Sequence, residues 1–427
     1  MSTLPSQSTT SASGIPQSTM SAADKNIRWY KIHQTFSEPF FWGPIILISH
    51  QNLAGMSTSD FYLVEACAVA TVVLLDIRMG IWADKIGHRK VMIAGEILLL
   101  ISFVFFALMS APWHAWAANL IWGIGFACSH GADHSYLHEN LKASGREDEH
   151  AHQNISSAQH RFLLMAGTCL VTGYLAEINM RLPLLLSIPP LFVSMFALSK
   201  LKEPPVHIED DSISVNPLTS WGVFKEAWDT IRLNKLMVWA AAFFIITTVG
   251  SKVYFFTYND YFKLVQLPLW VYGWIFCLIN LASFALARYP KIFLPKGKGM
   301  GTGLLVTASL GLISLAQGIW PMAIFAFLPV LQVFSRCLVS PIMNQIIHQG
   351  SRSTSRATAQ SVVASIKDIV SVLGLLLYSW ASKSMRVDEM LIWIGIAIML
   401  GLTLLTWMSA RIKRMRKPVL AERLSPK

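Results

Sequence analysis

Twelve apolar stretches of near-bilayer length run through almost the whole chain, and they leave few folds open to it. They fall near residues 33–53, 59–78, 91–110, 113–138, 156–178, 182–200, 236–257, 268–288, 301–318, 321–345, 357–381 and 389–410. A hydrocarbon layer about 30 Å thick is crossed by about 20 apolar residues in a helix. Inside it, every backbone N–H and C=O must be bonded within the protein. Runs of this length therefore predict an all-α polytopic membrane protein with twelve transmembrane helices. Composition agrees, because only 14% of the 427 residues are charged and 53% are hydrophobic, whereas soluble domains carry about 25% charge.

The formal net charge of +11 would suggest a nucleic-acid partner in a soluble chain. The placement of the basic residues gives another reason for it. Alternate connections, with both ends of the chain, carry 27 of the 35 Lys and Arg, and the opposite connections carry only Arg181, Lys263, Lys383 and Arg386. Cytoplasmic loops are the Lys/Arg-rich ones, so both termini are expected in the cytoplasm and the protein in the cell (inner or plasma) membrane. Residues 1–27 then form a Ser/Thr-rich disordered tail, 28–200 a first six-helix bundle, 201–235 a cytoplasmic linker, 236–410 a second bundle and 411–427 a basic tail. Within the linker, Trp221, Phe224, Trp228 and Ile231 recur at near-helical spacing, as in an amphipathic helix lying on the membrane. The triplet Asn154-Ile-Ser156 falls on the cytoplasmic side and should carry no glycan. Five dispersed cysteines (Cys67, Cys128, Cys169, Cys277, Cys337), all in apolar runs, argue against a disulfide framework or thiolate metal site.

The longest polar turn between early apolar runs is Gly80-Ile-Trp-Ala-Asp84-Lys85-Ile-Gly87-His88-Arg89-Lys90. It meets every fixed position of G-x-x-x-D-[RK]-x-G-x-[RK]-[RK] and resembles the loop between spans 2 and 3 of the major facilitator superfamily. Further on, Gly131-Ala-Asp133 through Tyr136 to Gly145-Arg146-Glu147 is similar to the span 4 exit of bacterial efflux-type members. Arg356-Ala-Thr-Ala-Gln-Ser361 resembles the opening of their span 11. The chain departs from them at Asp76-Ile-Arg78-Met-Gly80, where they commonly have E-x-P-T-G. A faint internal repeat, Ala158-Gln159 with Gly173 and Ala359-Gln360 with Gly374, fits two related halves.

The resemblance implies two pseudo-symmetric six-helix bundles that alternate access to a site between them, with no cofactor. It also implies a conformational latch of Gly80, Asp84, Lys85, Gly87, Arg89 and Lys90. In it, Asp84 faces the span 11 start near Arg356 and Arg89 pairs with Asp133 or Glu139 while the cytoplasmic ends are closed.

Ionisable groups inside hydrocarbon are costly unless paired or in a wet cavity, so each is a functional candidate. Span 1 has Glu38, span 2 Glu65, span 3 Glu96, span 7 Lys252, span 10 Arg336 and span 11 Lys367 with Asp368. Glu38 or Asp368 could exchange a coupling proton, with Lys252, Arg336 or Lys367 tuning it or holding an anionic group of the substrate. Glu96, near the basic loop, suits an interfacial ion pair. Lys367 and Asp368, about 100° apart on a helix, should not share a partner. His130, His134 and His138 recur every fourth residue and suit a metal site, a pH-responsive patch or a structural stripe. Aromatic residues including Trp42, Trp122 and Phe126 could line a cavity for a bulky substrate, although packing is the commoner use.

The expected function is secondary active transport of a small molecule, coupled to protons or another ion, with export as its direction, by a monomer in the bilayer. Import of a small metabolite is the alternative. From a different class, a membrane metal-dependent enzyme or sensor could use the span 4 histidines. No G-x-x-x-x-G-K-[ST] loop occurs, which disfavours an ATP-driven pump.

Overall fold

A computed structural model of the chain describes residues 22–38, 40–203, 232–289, 299–350 and 356–424. The linker stretch Trp221–Ile231 lies outside them. Among the described residues the secondary structure is helical, and ten helical segments are long and apolar enough to cross a membrane. They are spans 2 (Thr58–Ile86), 3 (His88–Ala107), 5 (His150–Ile178), 6 (Arg181–Lys200) and 7 (Lys235–Leu264), then 8 (Leu269–Arg288), 9 (Gly299–Ile319), 10 (Pro329–Gly350), 11 (Arg356–Ala381) and 12 (Val387–Leu424). Span 1 and span 4 complete the expected twelve but are built differently. Span 1 is split into Ala22–Phe36 and Ile46–Ala54, and Gly43-Pro44 lies in the break, where proline cannot continue a helical ladder. Span 4 is one helix of 31 residues, Pro112–Lys142, whose apolar run is diluted by His114, Asn119 and His130.

The polar turn is shorter than the sequence suggests. Spans 2 and 3 are joined by Gly87 alone, at φ 105°, a conformation open to glycine and costly for any other residue. Span 2 therefore carries Arg78, Asp84 and Lys85 on helix rather than loop. Its other end is fixed by a capping box of Ser57 and Asp60. The end of the bundle that bears Arg78, Lys85, Arg89, Lys90, Lys142 and Arg146 is the basic face.

The cores show how the two halves meet. At the basic face each half packs its own core: Ile27, Tyr30, Met79, Met92, Tyr136 and Leu198 in one, and Trp239, Phe243, Ile342, Val362 and Leu405 in the other. Toward the opposite end a single core runs through both halves, joining Phe61, Tyr62 and Cys169 to Tyr254, Tyr258, Phe276 and Tyr378. The protein is therefore closed away from the basic face and open toward it.

Two seams make that closure. Where spans 5 and 8 cross, Gly173 lies against the backbone of Leu269 and Trp270, and Gly273 against the Cys169 carbonyl. Small residues allow such backbone approach in membrane helices. Gly374, the repeat partner of Gly173, instead packs inside its own half on Val253. The second seam joins spans 2, 7 and 11 through polar contacts. The Tyr62 hydroxyl is 2.8 Å from Asp260 Oδ2, the Tyr62 and Tyr378 rings meet at 4.2 Å, and Ser59 Oγ donates to the Ser379 carbonyl at 2.8 Å.

The Ser59 and Ser379 side-chain oxygens are 3.3 Å apart, within reach of a disulfide after a small shift. In a background without the native cysteines, Ser59→Cys with Ser379→Cys should cross-link under mild oxidation, and reductant should reverse it. Mass spectrometry of the joined peptides checks the bond.

Candidate functional site

Between the halves lies a cavity of about 420 Å³. Trp42, Glu65, Asp76, Trp122, Phe126 and His130 line it from one half, and Lys252, Phe255, Phe256, Ser365, Lys367 and Asp368 from the other. A second cavity of about 630 Å³ shares Trp122, Phe126 and His130 with it and is lined further by Gln34, Glu38, Asp133 and Arg161. Together they form a route from the basic face to the closed seams.

Span 4 builds one wall of this route. Trp122, Phe126 and His130, four residues apart, stack along the helix at ring separations of 4.9 Å and 5.3 Å, with planes within 22° of parallel. His130 thus ends an aromatic ladder, and its Nδ1 lies 3.9 Å from Asp76 Oδ1. His138, further along, contacts the ring of His150 instead. Trp42 leans on Trp122 at 6.2 Å. Stacked rings cover one another's faces, so what this ladder offers a planar ring is its edges and its free end.

The charges sort into paired and unpaired groups. Glu38 accepts from Arg161 at 3.2 Å, and Asp133 accepts from Gln34 at 2.6 Å. Lys367 pairs with its own neighbour Asp368 at 2.6 Å, and both line the cavity rather than one of them facing a neighbouring helix. Both side chains curl back over the cavity, and the long lysine stem spans the angle between them. Arg336 sits over the Phe255 ring at 4.8 Å, a cation–π contact rather than an ion pair. Glu96 forms no interfacial ion pair. Two turns inside its helix, it is fully buried, with Ser194 and Glu38 as its polar neighbours.

Glu65 and Glu96 are both buried with a carboxylate oxygen that has no hydrogen-bond partner, but only Glu65 of the two lines the cavity, where it shares the wall with Lys252. Glu65 is 3% exposed, and its Oε1 has no hydrogen-bond partner. Lys252 faces it from the other half, and the charges acting on that ammonium are Asp368, Lys367 and Glu65. Neither side chain has an ion pair within 4 Å among the described residues. Glu65 sits one turn from Tyr62, so the charge at the base of the cavity and the polar seam share one helix. Tyr62, Asp260, Ser59 and Ser379 carry no motif, and the sequence reading passed over them. Asp260 was visible only as an acid near a span end.

The residues of the expected latch are mostly held within their own half. Arg89 does not meet Asp133 or Glu139. Its guanidinium donates to the carbonyls of Leu198 and Ser199 at 3.0 Å and 2.9 Å, and its backbone N–H to Glu203 at 2.9 Å. An arginine at the last carbonyls of span 6 meets the negative end of a helix. Asp84 and Glu139 both approach His88, at 3.3 Å and 3.6 Å. Gly80 faces Gly131 of span 4, Lys85 and Lys90 are exposed, and the Arg356 side chain lies outside the described residues.

The fold has close counterparts. A point mutant of the nucleoside transporter NupG superposes with a TM-score of 0.70 at 11% identity, covering 91% of this chain and 100% of that one. A second structure of NupG gives 0.65 at 12%, covering 91% and 99%. At such identity the likeness shows the fold alone. No curated protein matches the sequence. The family model of the Major Facilitator Superfamily matches residues 35–375, so most of the chain, including both halves of the cavity, falls within it. With two six-helix bundles closed at one end over a charged cavity, this chain belongs to the Major Facilitator Superfamily, a family of membrane transporters.

Proposed function

We propose that the protein is a proton-coupled secondary active transporter of a small molecule that combines a planar ring with polar or charged groups. The observation that carries the reading is Glu65, buried with an unbonded carboxylate oxygen across the cavity from Lys252. A carboxyl whose cationic neighbour approaches or recedes as the halves rock changes its proton affinity, which is the step coupling requires. The aromatic ladder Trp122–Phe126–His130 supplies ring edges and a free end, and Asp76, Lys367 and Asp368 supply polar partners. A nucleoside has this chemistry, and the similar fold of NupG makes nucleosides the first compounds to try.

The basic face lies in the cytoplasm on this reading, with the protein a monomer in the plasma membrane and the described state open inward. Export, the direction of the efflux-type members that the span 4 exit resembles, is the net flux we assign. Proteoliposomes loaded with candidate compounds test the reading. An imposed proton gradient should drive accumulation of at least one ring-bearing compound about tenfold over a dissipated gradient. Flux indifferent to the gradient would overturn proton coupling, and uptake into cells driven by inward protons would overturn export.

A further inference from the structure

His88 begins span 3 directly after the Gly87 hinge, and it is only 5% exposed. Both ring nitrogens point at carboxylates: Nε2 lies 3.3 Å from Asp84 Oδ1 at the end of span 2, and Nδ1 lies 3.6 Å from Glu139 Oε2 of span 4. Yet the ring makes no hydrogen bond among the described residues, and Nε2 is buried with its carboxylate neighbour out of hydrogen-bond geometry. A buried polar group left so is costly. Something that accepts an imidazole lone pair and two carboxylates together would remove that cost.

We propose that Asp84, His88 and Glu139 form a binding site for a divalent transition-metal ion, with Zn²⁺ as the best fit. One imidazole and two carboxylates are N/O donors of the kind that zinc takes in sites with an open position. Ligands about 2.0 Å from a tetrahedral ion stand about 3.3 Å from one another, and His88 Nε2 and Asp84 Oδ1 already do. The three ligand atoms all lie within 4.8 Å of one another, and half-exposed Glu139 can close the remainder by a side-chain rotation. The site lies on the basic face beside Lys85 and Lys90, so its own carboxylates must supply the attraction. Glu203 adds a third acid against the hinge, while the Arg89 guanidinium is turned to the span 6 carbonyls.

This site differs from the span 4 histidine stripe, which diverges in space: His130 joins the aromatic ladder and His138 meets His150. Bound metal would tie span 2 to span 4 and hold Asp84 within its own half. On the alternating-access reading above, it would then oppose closure at the basic face, but binding itself does not depend on that reading.

The test is a Zn²⁺ titration of the purified full-length protein by calorimetry, with Co²⁺ absorption as a spectroscopic check. His88→Gln and Glu139→Gln should each raise the dissociation constant of one site at least about tenfold, and His150→Gln should leave it in place. If His88→Gln does not fold, Asp84→Asn, on an exposed side chain, carries the same expectation. Equal affinity in the wild type and these variants would overturn the site, and so would a loss that follows His150→Gln alone.

Discussion

Glu65→Gln should abolish proton-driven transport while sparing exchange. In proteoliposomes, gradient-driven accumulation should fall at least about 100-fold, equivalent to about 2.7 kcal/mol, while substrate counterflow stays within about fivefold of the wild type. Glutamine keeps the shape of the side chain and its neighbours on span 2, but it cannot give up or take a proton. Exchange needs only that the loaded carrier rock between its two states. Net coupled flux also needs the empty carrier to return with the other protonation state. The buried, unpartnered Oε1 of Glu65 is the oxygen that a bound proton would occupy, and Lys252 opposite is the charge that competes with it. Glu38 and Asp368 already sit in ion pairs, with Arg161 at 3.2 Å and with Lys367 at 2.6 Å. Their neutralisation should therefore cost less gradient-driven flux than Glu65→Gln does. Undiminished accumulation in the Glu65 variant would move the coupling site elsewhere.

Helix number and the distinction between the two faces were legible in the chain because they depend on one-dimensional quantities, run length and the position of Lys and Arg. The signature loop at Gly80–Lys90 likewise placed the turn, and the family match confirms the fold it implied. What it could not convey was that the turn collapses to Gly87, because helix can continue through polar residues once they are clear of the bilayer. Pairing was the harder quantity. Nothing in sequence spacing joins Glu38 to Arg161 or Tyr62 to Asp260, which lie 123 and 198 residues apart. Nor does spacing show which buried acid is left without a partner. Glu65 is visible in the sequence as an acid in an apolar run, but the residues alone point to Glu38 or Asp368 as the proton exchanger, and only their ion pairs turn attention to Glu65. His130 and His138 share one helix, as their spacing predicts, but their rings meet different partners. The meaning of His130 came from continuing the register backwards through Phe126 and Trp122 rather than forwards. Arg89 does not meet Asp133 or Glu139 in this state because that pairing is expected with the basic face closed, and the protein is open there.

The glycine seam sets the largest conformational effect. Gly173→Leu should tip the carrier toward the state open away from the basic face. A Cβ at residue 173 would stand 2.5 Å from the Trp270 Cα. The obstruction is backbone, which no rotamer change can clear, so spans 5 and 8 must separate by about 1 Å or more to restore van der Waals contact. Overpacking of this kind costs about 1–3 kcal/mol, and at the upper end it shifts a two-state equilibrium by about two decades. The strain exists only while this end is closed, so it favours the opposite state rather than both equally. A single cysteine at Ser59, buried at the polar seam in the present state, reports the change. With the native cysteines removed, a membrane-impermeant maleimide added on the side opposite the basic face should label Ser59→Cys at least about tenfold faster when Gly173→Leu is present. Transport should fall in parallel, since a carrier held in one state cannot cycle. Gly167→Leu is the control, because a Cβ at residue 167 on the same span meets nothing within 4 Å, and it should leave both labelling and transport close to their starting values. Equal labelling with leucine at 173 and at 167 would show that closure does not depend on this crossing, leaving the Tyr62–Asp260–Ser379 seam to hold the end shut alone.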